Sequence, residues 1–233
     1  MKKLQGKTAL VTGSSRGVGK IVAEALAKEG CRVFVHGRTL KACESTLALL
    51  SAAGVEGKAF AADLNVPADV DRLAAEVTAA GGVDILYNNA AIQCSYNMTI
   101  SKQDMADWAK VFQTNVFAPI RLTSLLVDDI KKRGWGRIIN VTSGIDKAWM
   151  QAAYGSSKWA LDKWTDDLGA YVAGSGTVVS RIDPGWLRTD LGGPNADNAP
   201  ETVLPGAMVP VLLASDAPQA QFFRAQDLRD VKL

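Results

Sequence analysis

Tyr154 and Lys158 have the spacing of an acid–base pair. They lie four residues apart in a segment, 150–173, whose apolar spacing predicts a helix, so both side chains should share one face. A phenol has a reference pKa of about 10, and a neighbouring ammonium favours its phenolate form. Ser143 follows a strand predicted at 137–141, at the carboxyl end where ligands bind in open α/β sheets. The Tyr-x-x-x-Lys spacing alone often arises by chance, so its weight depends on the elements around it.

A glycine-rich turn marks a second candidate site. It follows an apolar strand predicted at 7–12 and precedes a helix predicted at 17–29. Glycines in such a turn let the backbone approach a pyrophosphate, whose charge meets the N–H groups at the helix start. The spacing is G-x-x-x-G-x-G, and its position on the first strand–turn–helix unit predicts dinucleotide binding. The residues of this predicted phosphate loop are Gly13, Ser14, Ser15, Arg16, Gly17, Val18 and Gly19.

The end of the second predicted strand, 32–35, indicates which dinucleotide binds. An acidic residue in this turn would bind the ribose 2′-hydroxyl of NAD, whereas an arginine suits the 2′-phosphate of NADP. Arg38 lies here without an acid, and Arg16 could add a second cation to the same phosphate. We therefore expect NADP in preference to NAD, the alternative being that Arg38 is a solvated loop residue. His36, in the same turn, is interpreted as a bystander rather than a base.

Composition excludes several other classes of protein. His36 is the only histidine, so a Ser-His-Asp or Cys-His arrangement would have to use it, and zinc sites built on two or three histidines are excluded. The net charge of +2 is too balanced for a nucleic-acid binder that neutralises phosphates. Cys31, Cys43 and Cys94 lack metal-ligand spacing and predict reduced thiols in a cytoplasmic protein. The longest apolar stretches predict neither export nor a membrane span.

Strands and helices alternate along the chain. Besides the elements above, helices are predicted near 39–52, 67–81 and 104–132, and strands near 58–62, 83–87 and 177–182. Strands joined by crossovers of a dozen or more residues run parallel, with helices on both faces. We therefore predict an α/β fold, a single doubly wound parallel sheet of the Rossmann-like kind, forming one domain over residues 1–233. The segment 185–200 is expected to be a mobile substrate loop.

Together these features resemble the classical short-chain dehydrogenases/reductases over residues 6–193. The matching segments, in the family's order, are the phosphate loop, Asp63-Leu64 after the third strand, Asn88-Asn89-Ala90 after the fourth, Asn115, Ser143, Tyr154 with Lys158, and Pro184-Gly185 with Thr189 after the sixth. The resemblance implies an oxidoreductase that interconverts an alcohol and a ketone or aldehyde. The expected cofactor is NADP, and NAD is the less expected alternative.

The resemblance also implies a role for each matching residue. Tyr154 would exchange a proton with the substrate oxygen, and Ser143 would hydrogen-bond that oxygen. Lys158 would bind the nicotinamide ribose and lower the pKa of Tyr154, and Asn115 would hold a water that links Lys158 to solvent. The implied cofactor contacts are Asp63 and Leu64 at the adenine, Asn89 and Ala90 at the adenosine ribose, and Pro184, Gly185 and Thr189 at the nicotinamide.

Three features depart from the pattern that is common in the family. Ala91 stands where the family commonly has glycine, ten residues separate Ser143 from Tyr154, and the chain lacks a glycine-rich segment after 222–224, so the last strand is not predicted.

The residues around the expected substrate give two indications of its chemistry. Arg188 leaves open a substrate that carries a negative charge. An apolar substrate pocket is expected from Ile92, Tyr96, Trp149, Met150 and Trp186, unless these side chains pack the loops or a subunit contact.

Other functions stay open from the sequence. The chain could bind a dinucleotide as a sensor or assembly partner without turnover, or it could catalyse an epimerisation or dehydration on a related site. The expected partner is a small carbonyl or alcohol compound. Because the family pairs its subunits through the helices predicted at 104–132 and 150–173, a homodimer or homotetramer is also expected.

Overall fold

A parallel β-sheet forms the centre of the computed structural model, which describes residues 2–96 and 99–233. Its strands are β1 (Thr8–Val11), β2 (Arg32–Gly37), β3 (Gly57–Ala61), β4 (Ile85–Asn88), β5 (Gly136–Val141), β6 (Thr177–Asp183) and β7 (Gln221–Arg224). Their order across the sheet is β3-β2-β1-β4-β5-β6-β7, so the chain winds outward in both directions from the β1–β4 pair. The predicted doubly wound parallel sheet is confirmed.

Helices cover both faces of this sheet. They are α1 (Gly17–Lys28), α2 (Leu40–Ala52), α3 (Pro67–Ala79), α4 (Met105–Phe112), α5 (Ala118–Lys132) and α6 (Ala152–Val172). Strand residues alternate between the two cores: Val11 packs with α1 and α2, while Leu10 packs with α3, α5 and α6. None of the helices in the described residues combines the length and hydropathy of a membrane span.

The helix predicted at 104–132 is interrupted at its centre. A π-helical segment, Gln113–Phe117, joins α4 to α5, and Ala118 N donates to the carbonyl of Gln113, five residues earlier. Pro119 explains the break, because it has no N–H to donate to the carbonyl of Asn115 and its ring would clash with that carbonyl in a continuous α-helix. Such π-segments occur frequently at functional sites.

The connection from β6 to β7 contains loops and short 3₁₀-helices. The segment 185–199 is a loop in which Leu187 and Asn198 form an isolated bridge, and 3₁₀-helices follow at Pro200–Val203 and Gly206–Val211. Pro210 lies within the second of these, where it cannot continue an α-helical ladder. β7, which the sequence did not predict, pairs parallel to β6 and extends the sheet.

Candidate active site

Most of the predicted site residues gather at one edge of the sheet. The segments that follow β1, β4, β5 and β6 carry Gly13, Asn89, Ser143 and Pro184, respectively. These four strands are neighbours in the sheet and parallel, so their carboxyl ends form a common edge. α6 lies against the same edge, because Lys158 Nζ donates a hydrogen bond of 2.8 Å to the carbonyl of Val141, the last residue of β5.

Close contacts explain the glycines of the phosphate loop. Gly13 has a φ of 64°, and a Cβ there would lie 2.9 Å from the Cα of Ala90. A Cβ on Gly19 would lie 2.5 Å from Asn89 Nδ2 and 2.6 Å from the Gly13 carbonyl oxygen. α1 begins at Gly17, and its first N–H groups have no partner within the helix. The loop is thus a backbone cradle that side chains would fill, and it fits a pyrophosphate.

His36 holds this loop in place, a role that the sequence interpretation missed. Its Nδ1 accepts a hydrogen bond of 3.0 Å from Gly13 N, and its Nε2 lies 3.1 Å from the carbonyl of Ala62, which requires the neutral tautomer with the proton on Nε2. Burial lowers the pKa of His36 to about 4, so the ring is neutral at pH 7. The signal in the sequence was a histidine at the end of the strand that neighbours the glycine-rich turn.

Ser14 positions the loop from inside. Its Oγ donates to the carbonyl of Val11 at 2.7 Å and accepts from His36 N at 3.0 Å. Its N donates to the His36 carbonyl at 2.9 Å, and its own carbonyl accepts from Thr46 Oγ1 at 2.8 Å. The prediction that Ser14 contacts the cofactor therefore needs correction, because these bonds direct its polar groups into the protein.

The cations predicted at the 2′-phosphate differ in their surroundings. Arg38 is exposed just beyond β2, where a Cβ on Gly37 would lie 3.2 Å from the Cβ of Ser15 in the phosphate loop. Arg16 is also exposed, and its guanidinium lies 2.8 Å from the carboxylate of Asp190 in the loop after β6. Arg38 is thus next to a contact with the phosphate loop, whereas Arg16 already has an acidic partner.

The residues predicted at the adenosine lie after β3 and β4. Asp63 is exposed, and its Oδ1 accepts from Asn65 N at 2.9 Å. Leu64 is buried in the core on the α3 side, so only its backbone can meet a cofactor. Asn89 Nδ2 donates to the carbonyl of Thr12 at 2.8 Å. The N–H groups of Asn89 and Ala90 both donate to Thr12 Oγ1 at 3.0 Å, which fixes this segment against the phosphate loop.

Asn115 joins the π-segment to its neighbours. Its Oδ1 accepts from Ile92 N at 2.9 Å, and its Nδ2 donates to the carbonyl of Ile92 at 3.0 Å and to Ser157 Oγ at 3.1 Å. The side chain is therefore occupied by structural contacts on two sides. Its backbone carbonyl lacks the usual helical donor, because Pro119 has no N–H, and the implied role of holding a water stays a prediction.

Tyr154 and Lys158 share one face of α6, as predicted. Lys158 Nζ lies 5.6 Å from the centre of the Tyr154 ring. Burial, with a further contribution from the negative charge of Asp183, raises the pKa of Tyr154 above its ordinary value. Burial also lowers the pKa of Lys158 to about 8, against the opposing charges of Asp162 and Asp183. Burial is the largest cause of both shifts, and the implied stabilisation of the phenolate by Lys158 stays a prediction.

Ser143 and the loop after β6 complete the edge. Ser143 Oγ accepts from Ile145 N at 3.2 Å, which occupies one oxygen lone pair. The Pro184 carbonyl accepts from Gln226 Nε2 at 2.7 Å, and Gly185, with a φ of 84°, packs against the same glutamine. A Cβ on Gly17 would lie 3.6 Å from the Thr189 methyl, so Thr189 lies against the phosphate loop.

The residues predicted for an apolar pocket are only partly assembled. Ile92 packs in the same small cluster as Tyr154. Tyr96, Trp149, Met150 and Trp186 are between 38% and 57% exposed. Tyr96 Oη accepts from Gln151 Nε2 at 2.7 Å, whereas Trp186 Nε1 donates to Gly192 within its own loop.

Arg188 is bonded within the loop after β6. Its Nη1 donates to the carbonyls of Ala196 and Asp197 at 2.9 and 3.0 Å. The anionic substrate that Arg188 leaves open stays a prediction.

A doubly wound sheet that presents a glycine cradle beside a Tyr–Lys pair defines a class, the NAD(P)-binding oxidoreductases. The sequence model of the short chain dehydrogenase family matches residues 7–199. The chain belongs to this family.

Known proteins share both the sequence and the fold. The ketoacyl reductase HetN of a Nostoc species is 37% identical over 193 residues, which are 80% of this chain and 66%, just under two thirds, of that protein. A metagenomic short-chain oxidoreductase in complex with NADP has a TM-score of 0.82 at 25% identity, covering 95% of this chain and 98% of that chain. NAD⁺-bound xylitol dehydrogenase has a TM-score of 0.74 at 28% identity, covering 80% and 72%. The two solved neighbours bind different dinucleotides, so the cofactor preference of this chain depends on its own residues.

Proposed function

We propose that this protein is an NADP-dependent oxidoreductase that interconverts an alcohol and a ketone or aldehyde. The observation that carries the proposal is that α6 holds Tyr154 and Lys158 at the sheet edge where the glycine cradle and Ser143 also lie. Bound NADP(H) would supply or accept the hydride. The chain itself binds the substrate, orients its oxygen and moves a proton to or from that oxygen.

The state of Tyr154 favours its use as an acid. Because its pKa is raised, Tyr154 keeps its proton at pH 7 and can donate it to a carbonyl oxygen as the carbonyl is reduced to an alcohol. Ser143 has a hydroxyl hydrogen with which to hold the same oxygen. Lys158, with a pKa of about 8, is mainly protonated at pH 7 and can bind ribose hydroxyls through the donors that Val141 does not use. Asn115 fixes the segment containing Ile92 next to α6.

The charges at the end of β2 support NADP over NAD. Arg38 is exposed there, and no acidic side chain accompanies it between His36 and Leu40. A 2′-phosphate carries negative charge that a guanidinium can bind in two-point fashion, whereas the 2′-hydroxyl of NAD gains little from an arginine. The first N–H groups of α1 would hold the pyrophosphate of either dinucleotide.

Titration of the protein's fluorescence with NADPH and separately with NADH tests the cofactor. We expect tighter binding of NADPH, and an Arg38→Ala variant should lose this preference while its NADH affinity stays the same. Preferred binding of NADH would contradict the NADP assignment but not the chemistry. A folded protein that binds neither dinucleotide would overturn the proposed function.

Tyr154→Phe tests the proton transfer. Across a panel of ketones and aldehydes, the variant should lose about 10²–10⁴-fold in kcat and retain its NADPH affinity. Tyr171→Phe is the matched control, because Tyr171 lies on the same helix and its hydroxyl contacts Asp128 on α5. NADPH binding without NADPH consumption would favour the sensor or assembly role, and isomerised or dehydrated products without net oxidation of NADPH would favour the related reactions.

We also propose that the protein assembles from identical subunits through α5 and α6. Both helices present large side chains to solvent: Leu125 on α5 is 41% exposed and Trp159 on α6 is 63% exposed. Sedimentation at micromolar concentration should show a dimer or tetramer, and a monomer would contradict this assembly.

The buried, unbridged thiols of Cys31, Cys43 and Cys94 fit the proposed cytoplasmic location.

A further inference from the structure

Asp183 lies beside the serine of the candidate active site. It is the last residue of β6, and its Oδ1 accepts a hydrogen bond of 2.9 Å from Gly185 N. A Cβ on Gly144, the residue after Ser143, would lie only 2.6 Å from Asp183 Oδ2. The carboxylate therefore packs directly against the backbone that presents the serine hydroxyl.

The cations near Asp183 have other contacts, including Arg224, its register partner on β7, whose guanidinium lies 5.9 Å from the centre of the Phe222 ring. Arg181, which points to the same side of β6, lies 3.1 Å from the carboxylate of Asp166 and 3.9 Å from that of Asp162. Arg188 donates to carbonyls within the loop after β6, and Lys158 donates to Val141.

The negative charge of Asp183 acts on the reacting groups. After burial, it is the largest contribution to the raised pKa of Tyr154, ahead of Cys94 and Tyr96. It also opposes the lowering of the Lys158 pKa that burial causes. Asp183 therefore contributes to the electrostatic potential at Tyr154 and Lys158.

We propose that Asp183 determines substrate specificity: it excludes ketones that carry a carboxylate one carbon away from the reacting carbonyl and favours those that carry a hydroxyl or ammonium group at a similar distance. The inference rests on the proposed oxidoreductase function and adds the substrate class. A substrate oxygen held by Ser143 brings its substituents past Gly144 to the Asp183 carboxylate. A carboxylate substituent would meet repulsion, whereas a hydroxyl or ammonium group could donate a hydrogen bond to Asp183.

Four-carbon ketones that differ at one end test this assignment. The probes are acetoacetate, acetoacetamide, 4-hydroxy-2-butanone and 4-amino-2-butanone, each assayed for kcat/KM with NADPH. For two unit charges about 6 Å apart at an effective dielectric constant of about 40, repulsion corresponds to about a tenfold effect. The wild-type protein should therefore discriminate against acetoacetate relative to acetoacetamide, and Asp183→Asn should reduce this discrimination about tenfold.

The variants are chosen to separate charge from structure. Asp183→Asn removes the charge while preserving the turn, because the asparagine side chain keeps an oxygen that accepts from Gly185 N. Asp146→Asn is the control, because Asp146 is an exposed acid two residues beyond Gly144 and its loss changes the net charge equally. We expect Asp146→Asn to leave the discrimination unchanged.

A pH profile supplies a readout that a purely structural role would not move. Removing the charge of Asp183 should lower the pKa of both Tyr154 and Lys158, so the basic limb of kcat/KM for the neutral ketones should move to lower pH. Tryptophan fluorescence titration with acetoacetate and acetoacetamide, with NADP⁺ bound, measures the same discrimination without turnover, because the oxidised cofactor has no hydride to transfer to a ketone.

The outcomes distinguish this inference from the proposed function. If the neutral ketones are reduced but Asp183→Asn leaves both the substrate ratio and the pH profile unchanged, the assignment of Asp183 is wrong and the oxidoreductase function stands. If no ketone is reduced, the proposed function fails, and the ratio of binding constants still decides the role of Asp183. Equal binding of acetoacetate and acetoacetamide by the wild-type protein would overturn it.

Discussion

Replacing Gly19 by alanine should damage cofactor binding more than stability. The new Cβ would lie 2.6 Å from the Gly13 carbonyl oxygen, which must retreat by about 0.8 Å to reach the 3.4 Å at which ordinary contact begins. Asn89 Nδ2, at 2.5 Å, must move as well. Overpacking of this kind costs about 1–3 kcal/mol, and the better helix propensity of alanine offsets up to about 1 kcal/mol. The net loss of about 0–2 kcal/mol corresponds to a decrease of up to about 8 °C in Tm.

The displacement falls on the cradle itself. Gly13 and the start of α1 would both shift, and losing one hydrogen bond to a charged phosphate costs about 1.5 kcal/mol, or about tenfold in affinity. Fluorescence titration should therefore show NADPH binding at least about tenfold weaker in Gly19→Ala. Thermal unfolding of the same sample measures the stability term.

Gly6→Ala is the matched control. Gly6 has a φ of 79°, and no atom of the described residues would meet a Cβ there within 4 Å. Alanine in this conformation costs about 1–2 kcal/mol of backbone strain, a loss of stability similar to that expected for Gly19→Ala. Its NADPH affinity should equal that of the wild-type protein. If Gly19→Ala also binds NADPH like the wild type, the loop is not the cofactor cradle and the reasoning from these contacts is refuted.

Further predictions concern buried ionisable groups and the cofactor loop. Because the folded pKa of Lys158, about 8, lies below the ordinary 10.5, its buried charge destabilises the fold below about pH 8, and this penalty disappears as pH rises to 10.5. In urea unfolding at pH 7, the free energy of unfolding of Lys158→Met should exceed that of the wild type by up to about 3 kcal/mol, at about 1.36 kcal/mol per pKa unit. A stability advantage that is unchanged at pH 10.5 would contradict this prediction. The imidazole of His36 should titrate near pH 4 when followed by NMR. The protein should lose stability as pH falls from 6.5 to 4, because the protonated ring cannot accept a hydrogen bond from Gly13 N. A titration midpoint near pH 6.5 would refute the burial of His36. Asp190→Asn should release Arg16 and raise NADPH affinity about two- to fivefold at low salt, with no change for NADH or at high salt.

The sequence predicted those elements whose signals are local. The helix predicted at 17–29 is observed at Gly17–Lys28, since its apolar spacing and Gly30 mark it without reference to the rest of the chain. β7 escaped prediction because it is a short edge strand of alternating exposure that follows a region without a regular helix. The break between α4 and α5 had a local signal, Pro119 four residues after Asn115, that the apolar periodicity obscured.

The sequence predicted which residues lie at the edge of the sheet but not the directions of their side chains. The strand ends brought the expected residues to one edge, because parallel strands share a direction. Ser14, however, faces inward and His36 supports the loop, since both depend on hydrogen bonds between strands distant in sequence. The pKa of Tyr154 depends likewise on burial and on Asp183, and neither quantity can be obtained from residue spacing.

The π-segment limits which insertions and deletions the chain can tolerate. One residue turns an α-helix by about 100°, so shortening Gln113–Phe117 by one residue would make the helix regular and rotate one side of it by that angle. Either Asn115 would leave Ile92 and Ser157, or the buried side of α5, which includes Leu122, would turn towards solvent. The number of residues in this segment is therefore as constrained as the identity of its asparagine, in contrast to surface connections, where changes of length are readily absorbed.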